Sequence, residues 1–363
     1  MNVLVLLHDS YGSVGGIAKF NRDLLAALAA DRRVETITVL PRLAPVEAAP
    51  PSLPKLHMRA APGGGKPGYF AAALREGLIG GARDLVIAAH LRLLPAAMLA
   101  RRGRRPLWAI VHGIDAWEPC RPRLDPWLVR GVDRVISVSP YTRERMARWS
   151  GLQPGRFRLL PNCVDRSLFT PGPPDPALQA RYGLVGRRVL MTLARLAPRE
   201  RYKGFDEILE ALPRLAADHS DLVYLIAGDG PDRARLEAKA AALGIAERVV
   251  FAGRIAESEK VAHYRLADAF AMPGRSEGFG IVYLEALACG VPVLGSKIDG
   301  SRDALLEGRL GVLVDPRDPE DVLAGLKRLL PTPKGVPPAL AEFGRDRFEE
   351  RLSRLLDDAL GGS

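Results

Sequence analysis

Apolar and polar residues alternate in blocks along this 363-residue chain. Val3–Leu7 is a short unbroken apolar run, as in a parallel strand covered on both faces. A loop from Ser10 to Gly16 follows it. Ile17, Phe20, Leu24, Leu25 and Leu28 then recur near helical spacing and predict a helix over about 17–30. Val34–Leu40, Leu85–Ala89, Leu107–Val111 and Arg134–Val138 read as further strands with helices between them. Residues 41–67 are rich in Pro, Gly and Ala and read as a long loop with room for one short strand. A loop of that length inside a compact domain points to a functional or mobile segment.

A second series starts after the Pro-rich stretch Pro171–Pro176. Val189–Leu193, Val223–Ala227, Val249–Ala252, Ala269–Met272 and Val291–Gly295 read as strands. Helices near 204–217, 231–243, 258–267, 279–288 and 318–330 separate them. Phe343, Phe348, Leu352, Leu355 and Leu356 predict one last amphipathic helix, packing back on the first domain. Alternating strand and helix units give a parallel sheet with helices on both faces. The length fits two α/β domains, each a doubly wound Rossmann-like sheet, joined near 165–185. Such domains are expected to face each other across a cleft and to bind ligands at the C-terminal strand ends.

Composition narrows the class. Hydrophobic content of 47% is ordinary, and no uncharged apolar run reaches the about 18 residues that a membrane-spanning helix needs. The start, Met1 to Asp9, reads as a strand and not as a signal peptide. Cys120, Cys163 and Cys289 are far apart and match no metal-ligand spacing, so free structural thiols in a reducing cytoplasm are expected.

The net charge of +10 is uneven. Residues 1–170 hold 25 Lys and Arg against 13 Asp and Glu, a balance of +12, while the rest balances at −2. A basic half attracts anionic partners, and an anionic membrane surface and a merely solvated face both fit. Nucleic acid does not fit: aromatics are sparse around Arg101–Arg105 and no nucleic-acid motif is present.

Chemistry concentrates at a few turns. The stretch Pro273 to Gly290 follows a strand and opens a helix at Gly278 and Gly280, so free helix N–H groups face the loop. Glu285 sits among Ile281, Val282, Leu284, Ala286 and Leu287, where a carboxylate is costly unless hydrogen-bonded. Ribose hydroxyls would serve, and Glu277 also suits a hydroxyl-rich ligand. A helix-start carboxylate and a structurally paired glutamate explain the same two residues. Arg195 lies just past a strand and Lys203 begins a helix, where two cations can neutralise a diphosphate. Solvated charges explain them equally. Gly15-Gly16 precedes the first helix without forming the dinucleotide fingerprint. His112 follows the strand Leu107–Val111, where it could bond a sugar or simply serve the fold. Asp229, in Gly228-Asp-Gly-Pro231, reads as turn chemistry.

Together these features resemble the family 4 retaining glycosyltransferases of the GT-B architecture. The likeness runs over nearly the whole chain: Gly15-Gly16, His112-Gly113, Pro161-Asn-Cys-Val-Asp165, Arg195 with Lys203-Gly204, Gly228 to Pro231, and the pair Glu277 and Glu285 eight positions apart. The resemblance implies an acceptor-side domain of residues 1–168 plus 340–363 and a donor domain of residues 169–339. It implies that Glu285 accepts from the donor ribose, that Glu277 sits by the transferred sugar, and that Arg195, Lys203 and the N–H groups of Gly280 and Ile281 hold the diphosphate. The backbone at Arg254 and Ile255 would meet the base, Gly16 would admit the donor phosphate, and His112 would contact the sugar or reaction centre.

The implied partners are a nucleotide-sugar donor, with GDP-mannose or a UDP-hexose in view, and a glycan or lipid-linked acceptor. No cofactor and no catalytic metal are implied. The expected place is the cytoplasm, peripheral on the inner face of the membrane. The loop from Arg195 to Lys203 is longer and richer in Arg than the commonest family pattern. Its Arg201-Tyr-Lys-Gly204 resembles bacterial exopolysaccharide and lipid-linked sugar transferases. Two other readings stay open: a GT-B-shaped sugar-nucleotide epimerase or hydrolase, and a non-catalytic nucleotide-sugar-binding module.

Overall fold

The computed structural model describes residues 1–9, 11, 15–43, 53–59, 65–81 and 83–360. Parts of the 10–16 loop and of the 41–67 stretch lie outside the described residues. The chain divides into two compact units. One holds Met1–Cys163 and the C-terminal stretch from Arg345; the other holds Val164–Gly344.

The first unit is built on a seven-stranded sheet: β1 Asn2–Leu7, β2 Thr36–Pro41, β3 Leu56–Met58, β4 Leu85–Ala88, β5 Leu107–Val111, β6 Arg134–Ser137 and β7 Phe157–Leu159. Their order is β3-β2-β1-β4-β5-β6-β7, all parallel. Val3 to Leu7 are fully buried, which is why β1 could be read from an unbroken apolar run. The second unit has β8 Arg188–Leu193, β9 Leu222–Ala227, β10 Val249–Gly253, β11 Ala269–Ala271, β12 Val293–Ser296 and β13 Val312–Val314. Their order is β10-β9-β8-β11-β12-β13, again parallel.

In each sheet the winding reverses once, at β1/β4 and at β8/β11. A crevice opens at such a reversal, beyond the C-terminal strand ends. The three-residue strands β7 and β13 were not expected from the sequence. They close sheet edges and are too short to show a period. β3 is the one short strand expected within 41–67.

The helix Gly16–Ala30 buries Phe20, Leu24, Leu25 and Leu28. The C-terminal helix Arg345–Leu360 lies on it, with Phe348 edge-on to Phe20 at 5.6 Å. Phe343 is not on that helix, contrary to expectation. It ends a separate turn, Pro338–Phe343, and packs edge-on against Phe279 in the second unit. Among the described residues no helix is long and apolar enough to cross a membrane.

Candidate functional site

At the β8/β11 reversal three loops clasp one another. The first runs from Arg195 to Gly204 after β8. A Cβ at Gly204, whose φ is +87°, would fall 2.7 Å from the Pro273 carbonyl oxygen, so only glycine lets this turn meet the loop after β11. The Arg275 N–H donates to the Tyr202 carbonyl at 2.9 Å. The third segment follows β12: the Gly300 N–H donates to the Glu277 carbonyl at 2.8 Å, and the Glu277 N–H donates to Asp299 Oδ2 at 2.7 Å.

This clasp sets Lys203 Nζ 2.6 Å from Glu277 Oε2. Burial pulls the Lys203 ammonium down, but Glu277 outweighs it and lifts the pKa above the ordinary lysine value. Asp299 lacks such a cation. Burial pushes its carboxyl up to about 7, against the Glu277 and Ser301 hydrogen bonds that lower it. The Ile281–Ala288 helix starts beside Glu277. Its N-cap is Gly280 at φ +90°, and no side chain caps it, so its first N–H groups are available to an anion. The Tyr283 hydroxyl pins the helix by donating to the Met272 carbonyl at 2.6 Å.

Glu285 is 1% exposed. Its Oε2 accepts from the Tyr264 hydroxyl at 2.8 Å, and its Oε1 faces Lys260 Nζ at 3.5 Å. Its carboxylate is thus both hydrogen-bonded and charge-paired, as burial requires. Neither partner was expected from the sequence, because the residues that serve Glu285 sit on a different helix, Lys260–Leu266.

Other sequence-predicted residues stand apart from this pair. Arg195 is on the same loop as Lys203, yet its side chain is 79% exposed and pairs with Glu200 at 2.5 Å. Arg254 is exposed and Ile255 half-buried, just past β10. Asp229 is a turn residue: its Oδ1 accepts from the Gly230 N–H at 2.8 Å. A Cβ at Gly228, whose φ is +138°, would fall 1.9 Å from the Ala194 carbonyl oxygen. The Gly228 to Pro231 motif therefore supports the Arg195 loop from beneath.

In the first unit His112 follows β5 and lies edge-on to Phe20 at 5.1 Å. Its Nε2 is 2.9 Å from the Ala89 carbonyl. A carbonyl can only accept, so Nε2 carries the hydrogen and Nδ1 is left as an acceptor when the ring is neutral. Asp115 Oδ1 accepts from the His112 and Gly113 N–H groups at 3.0 and 2.7 Å. Gly16 is exposed, and a Cβ there would meet nothing within 4 Å.

Two further histidines join this cluster, His8 after β1 and His90 after β4. The His8 and His90 rings lie 4.7 Å apart, and those of His90 and His112 6.2 Å apart. Burial lowers both pKa values, that of His90 to about 2 with help from neighbouring His112. His90 Nε2 stands 3.9 Å from Asp115 Oδ2, a buried oxygen without a hydrogen-bond partner. Burial raises the Asp115 pKa in turn. The sequence held one signal for this cluster: a histidine directly past each of three buried strands.

Known proteins share this architecture. A family model described as "Glycosyltransferase Family 4" matches residues 14–168, and one described as "Glycosyl transferases group 1" matches residues 179–346. The chain is 40% identical over 259 residues to a GDP-mannose-dependent alpha-(1-6)-phosphatidylinositol monomannoside mannosyltransferase of Mycolicibacterium smegmatis, covering 68% of this chain and 66% of that protein. It is 35% identical over 213 residues to a D-inositol 3-phosphate glycosyltransferase of Geodermatophilus obscurus, covering 56% and 46%. The matched region thus spans just under two thirds of the first relative and less than half of the second. Sucrose-phosphate synthase from Thermosynechococcus elongatus has the same fold, with a TM-score of 0.79 at 20% identity over 100% of both chains. Matched over most of its length by these two models and built on that fold, the chain belongs to the family 4 glycosyltransferases of the GT-B architecture.

Proposed function

We propose that the chain transfers a hexosyl group from a nucleoside diphosphate sugar to a glycan or lipid-linked acceptor, with retention of anomeric configuration. GDP-mannose is the first candidate donor, because the 40% identical relative carries that donor in its name. A UDP-hexose is the second. The observation that carries the reading is the Lys203–Glu277 pair, 2.6 Å long, held at the β8/β11 reversal beside an uncapped helix start.

In the free protein each of these charges neutralises the other. A bound diphosphate competes for Lys203, and Arg195 and the N–H groups of Gly280 and Ile281 add further donors. Glu277 is then released to accept from sugar hydroxyls. Glu285 accepts from the ribose, and the backbone at Arg254 and Ile255 meets the base. In the first unit, Nδ1 of His112 accepts from a sugar hydroxyl, and Gly16 leaves room for a phosphate. The acceptor hydroxyl attacks the anomeric carbon, the bond to the diphosphate breaks, and the proton passes to the departing phosphate oxygen. Cations and helix N–H groups take the place of a metal, so chelation by EDTA is expected to leave the rate unchanged.

A thermal-shift panel of GDP-, UDP- and ADP-sugars tests the donor. Ligand at about 100 Kd adds about 2.7 kcal/mol of stability, and GDP-mannose is expected to give the largest shift. Indifference to every nucleotide sugar would sink the reading. The anomeric proton couplings of the product, read by NMR, decide retention against inversion.

A further inference from the structure

The segments that carry Lys203 and Glu277 are joined by a second ion pair. Four residues after Lys203, Glu207 lies in the first turn of the helix Phe205–Asp218. Two residues before Glu277, Arg275 lies in the loop after β11. The Arg275 guanidinium donates to Glu207 Oε1. The same two segments are thus tied twice, and the ties run in opposite senses. In the first the helix side supplies the cation; in the second it supplies the acid.

The second tie lies in a cleft of its own, between the helices Phe205–Asp218 and Pro319–Leu329. Ala211, Pro316, Pro319 and Leu323 help to line it, and Lys203 and Glu277 do not. Two more cations reach this cleft, but Arg214 is engaged by Glu320 and Arg317 by Asp315, so the counter-charge of Glu207 is Arg275. Glu207 is 8% exposed, and its Oε2 has no hydrogen-bond partner among the described residues. Burial raises its pKa, and Arg275 works against that rise. A pair between two exposed side chains contributes little. Here one partner is buried, and losing the cation would strand it.

A ligand acts differently on the two ties. Under the proposed function a diphosphate competes for Lys203, so the first tie opens when donor binds. A loop fixed by that tie alone would be loosened by the ligand it must grip. The second tie has its charges in another cleft, and the backbone bond from the Arg275 N–H to the Tyr202 carbonyl, 2.9 Å long, supports it. Both can persist while Lys203 changes partner.

We propose that Glu207 and Arg275 are positioning residues, whose ion pair holds the Glu277 loop against the Lys203 segment while a donor diphosphate draws Lys203 away from Glu277. That role rests on the proposed function, and the two residues act on the donor only through Lys203 and Glu277.

Calorimetry on the full chain tests it, with GDP-mannose against GDP, and with UDP-glucose against UDP where the UDP-sugars give the larger thermal shift. Lys203 serves the diphosphate common to both ligands of a pair, whereas Glu277 serves the sugar. Glu207→Gln and Arg275→Met should each weaken the nucleotide sugar about fivefold and the free diphosphate less than about twofold, as for hydroxyl bonds to a displaced carboxylate. The double variant should lose no more than either single one, because each already undoes the pair. Arg275→Lys restores a cation and should recover most of the loss. Denaturant melts run beside these titrations, since a merely structural pair lowers stability without moving the ratio of the two affinities. A ratio unmoved by every variant overturns the proposal, and so does additive loss in the double variant. If Glu207→Gln does not fold, Arg275→Met and Arg275→Lys, at an exposed side chain, carry the same test. A wild type that binds the nucleotide sugar, with the ratio unmoved in the variants, sinks this role alone. A wild type that binds no nucleotide sugar sinks the proposed function and this role with it.

Discussion

The two sheets wind alike and reverse alike, yet what stands at their reversals differs in kind. At β8/β11 the groups are charged and paired: half-buried Lys203 with Glu277, and buried Glu285 with Tyr264 and Lys260. At β1/β4 and the neighbouring β5 stand three imidazoles, His8 and His112 half-buried and His90 buried, and burial keeps His90 neutral, its pKa pushed down to about 2. A buried charge must find a counter-charge, whereas a buried imidazole can discharge itself. Under the proposed function, the second unit exchanges its own ion pairs for those of an anionic ligand. Under the same reading, the first offers ring-nitrogen acceptors such as His112 Nδ1, suited to hydroxyls. One fold thus carries two chemistries, each grafted on its loops.

The contrast breaks most visibly at Lys203. Lys203→Ala removes the cation proposed for the diphosphate and leaves the half-buried Glu277 without it. Turnover is expected to fall by about 10²–10³, the usual effect of deleting one strong electrostatic donor. Stability should fall by about 1–3 kcal/mol, because a half-buried carboxylate loses its charged partner. Denaturant melts and steady-state rates read both. Donor affinity and turnover within about threefold of wild type would mean that the pair is structural only.

Glu285 comes next. Glu285→Gln keeps the shape but removes the charge facing Lys260, and donor affinity is expected to drop about tenfold to a hundredfold by calorimetry, as for hydrogen bonds to a charged group. Tyr264→Phe removes only the hydroxyl that holds Oε2. It should cost about 1 kcal/mol, close to fivefold in affinity. Equal effects from the two variants would show that Glu285 serves the fold and not the ribose.

The Glu277 to Glu285 part of the candidate site was legible in the sequence, and the reason is local. Glu277, Gly280 and Glu285 lie within one strand-to-helix turn, and a glutamate inside an apolar helix advertises an unusual need. Lys203 was legible as a cation past a strand, but its contact with Glu277 was not, because 74 residues separate them. Asp299 and Tyr264 gave no signal: an Asp beside glycine reads as a turn, and a Tyr on a helix reads as core. The sheets were legible wherever strands were buried on both faces. β7 and β13 were missed because three residues at an edge show no period. Phe343 was misplaced because an apolar spacing alone does not mark where the chain passes from one unit to the other.

The first unit should respond more weakly. His112→Ala removes one ring-nitrogen acceptor and its contact with Phe20. A loss of about fivefold to tenfold in kcat/KM is expected, with affinity for the free nucleoside diphosphate unchanged. An effect as large as that of Lys203→Ala would erase the distinction between charged and neutral sites.

The last effect concerns pH, and it sharpens why Glu277 needs Lys203. Asp299 is more deeply buried than Glu277 and pairs with no cation among the described residues, and its pKa stands at about 7 in the folded chain against an ordinary value of 3.8. Between those values the folded chain holds a proton that the unfolded chain has released. Its stabilisation is therefore complete below 3.8 and lost as pH rises through about 7, at up to about 1.4 kcal/mol per pH unit. Asp299→Asn cannot ionise. It keeps one acceptor for the Glu277 and Ser301 N–H groups and sacrifices the other, so it starts less stable by about 1 kcal/mol. Because all other titrations are common to both proteins, they cancel in the difference. The gap in stability between wild type and variant should narrow as pH climbs above 3.8, close or reverse before about 7, and stay level above that. Parallel curves across that range would show that Asp299 is ionised throughout, and that a buried carboxylate in this clasp survives on N–H donors alone.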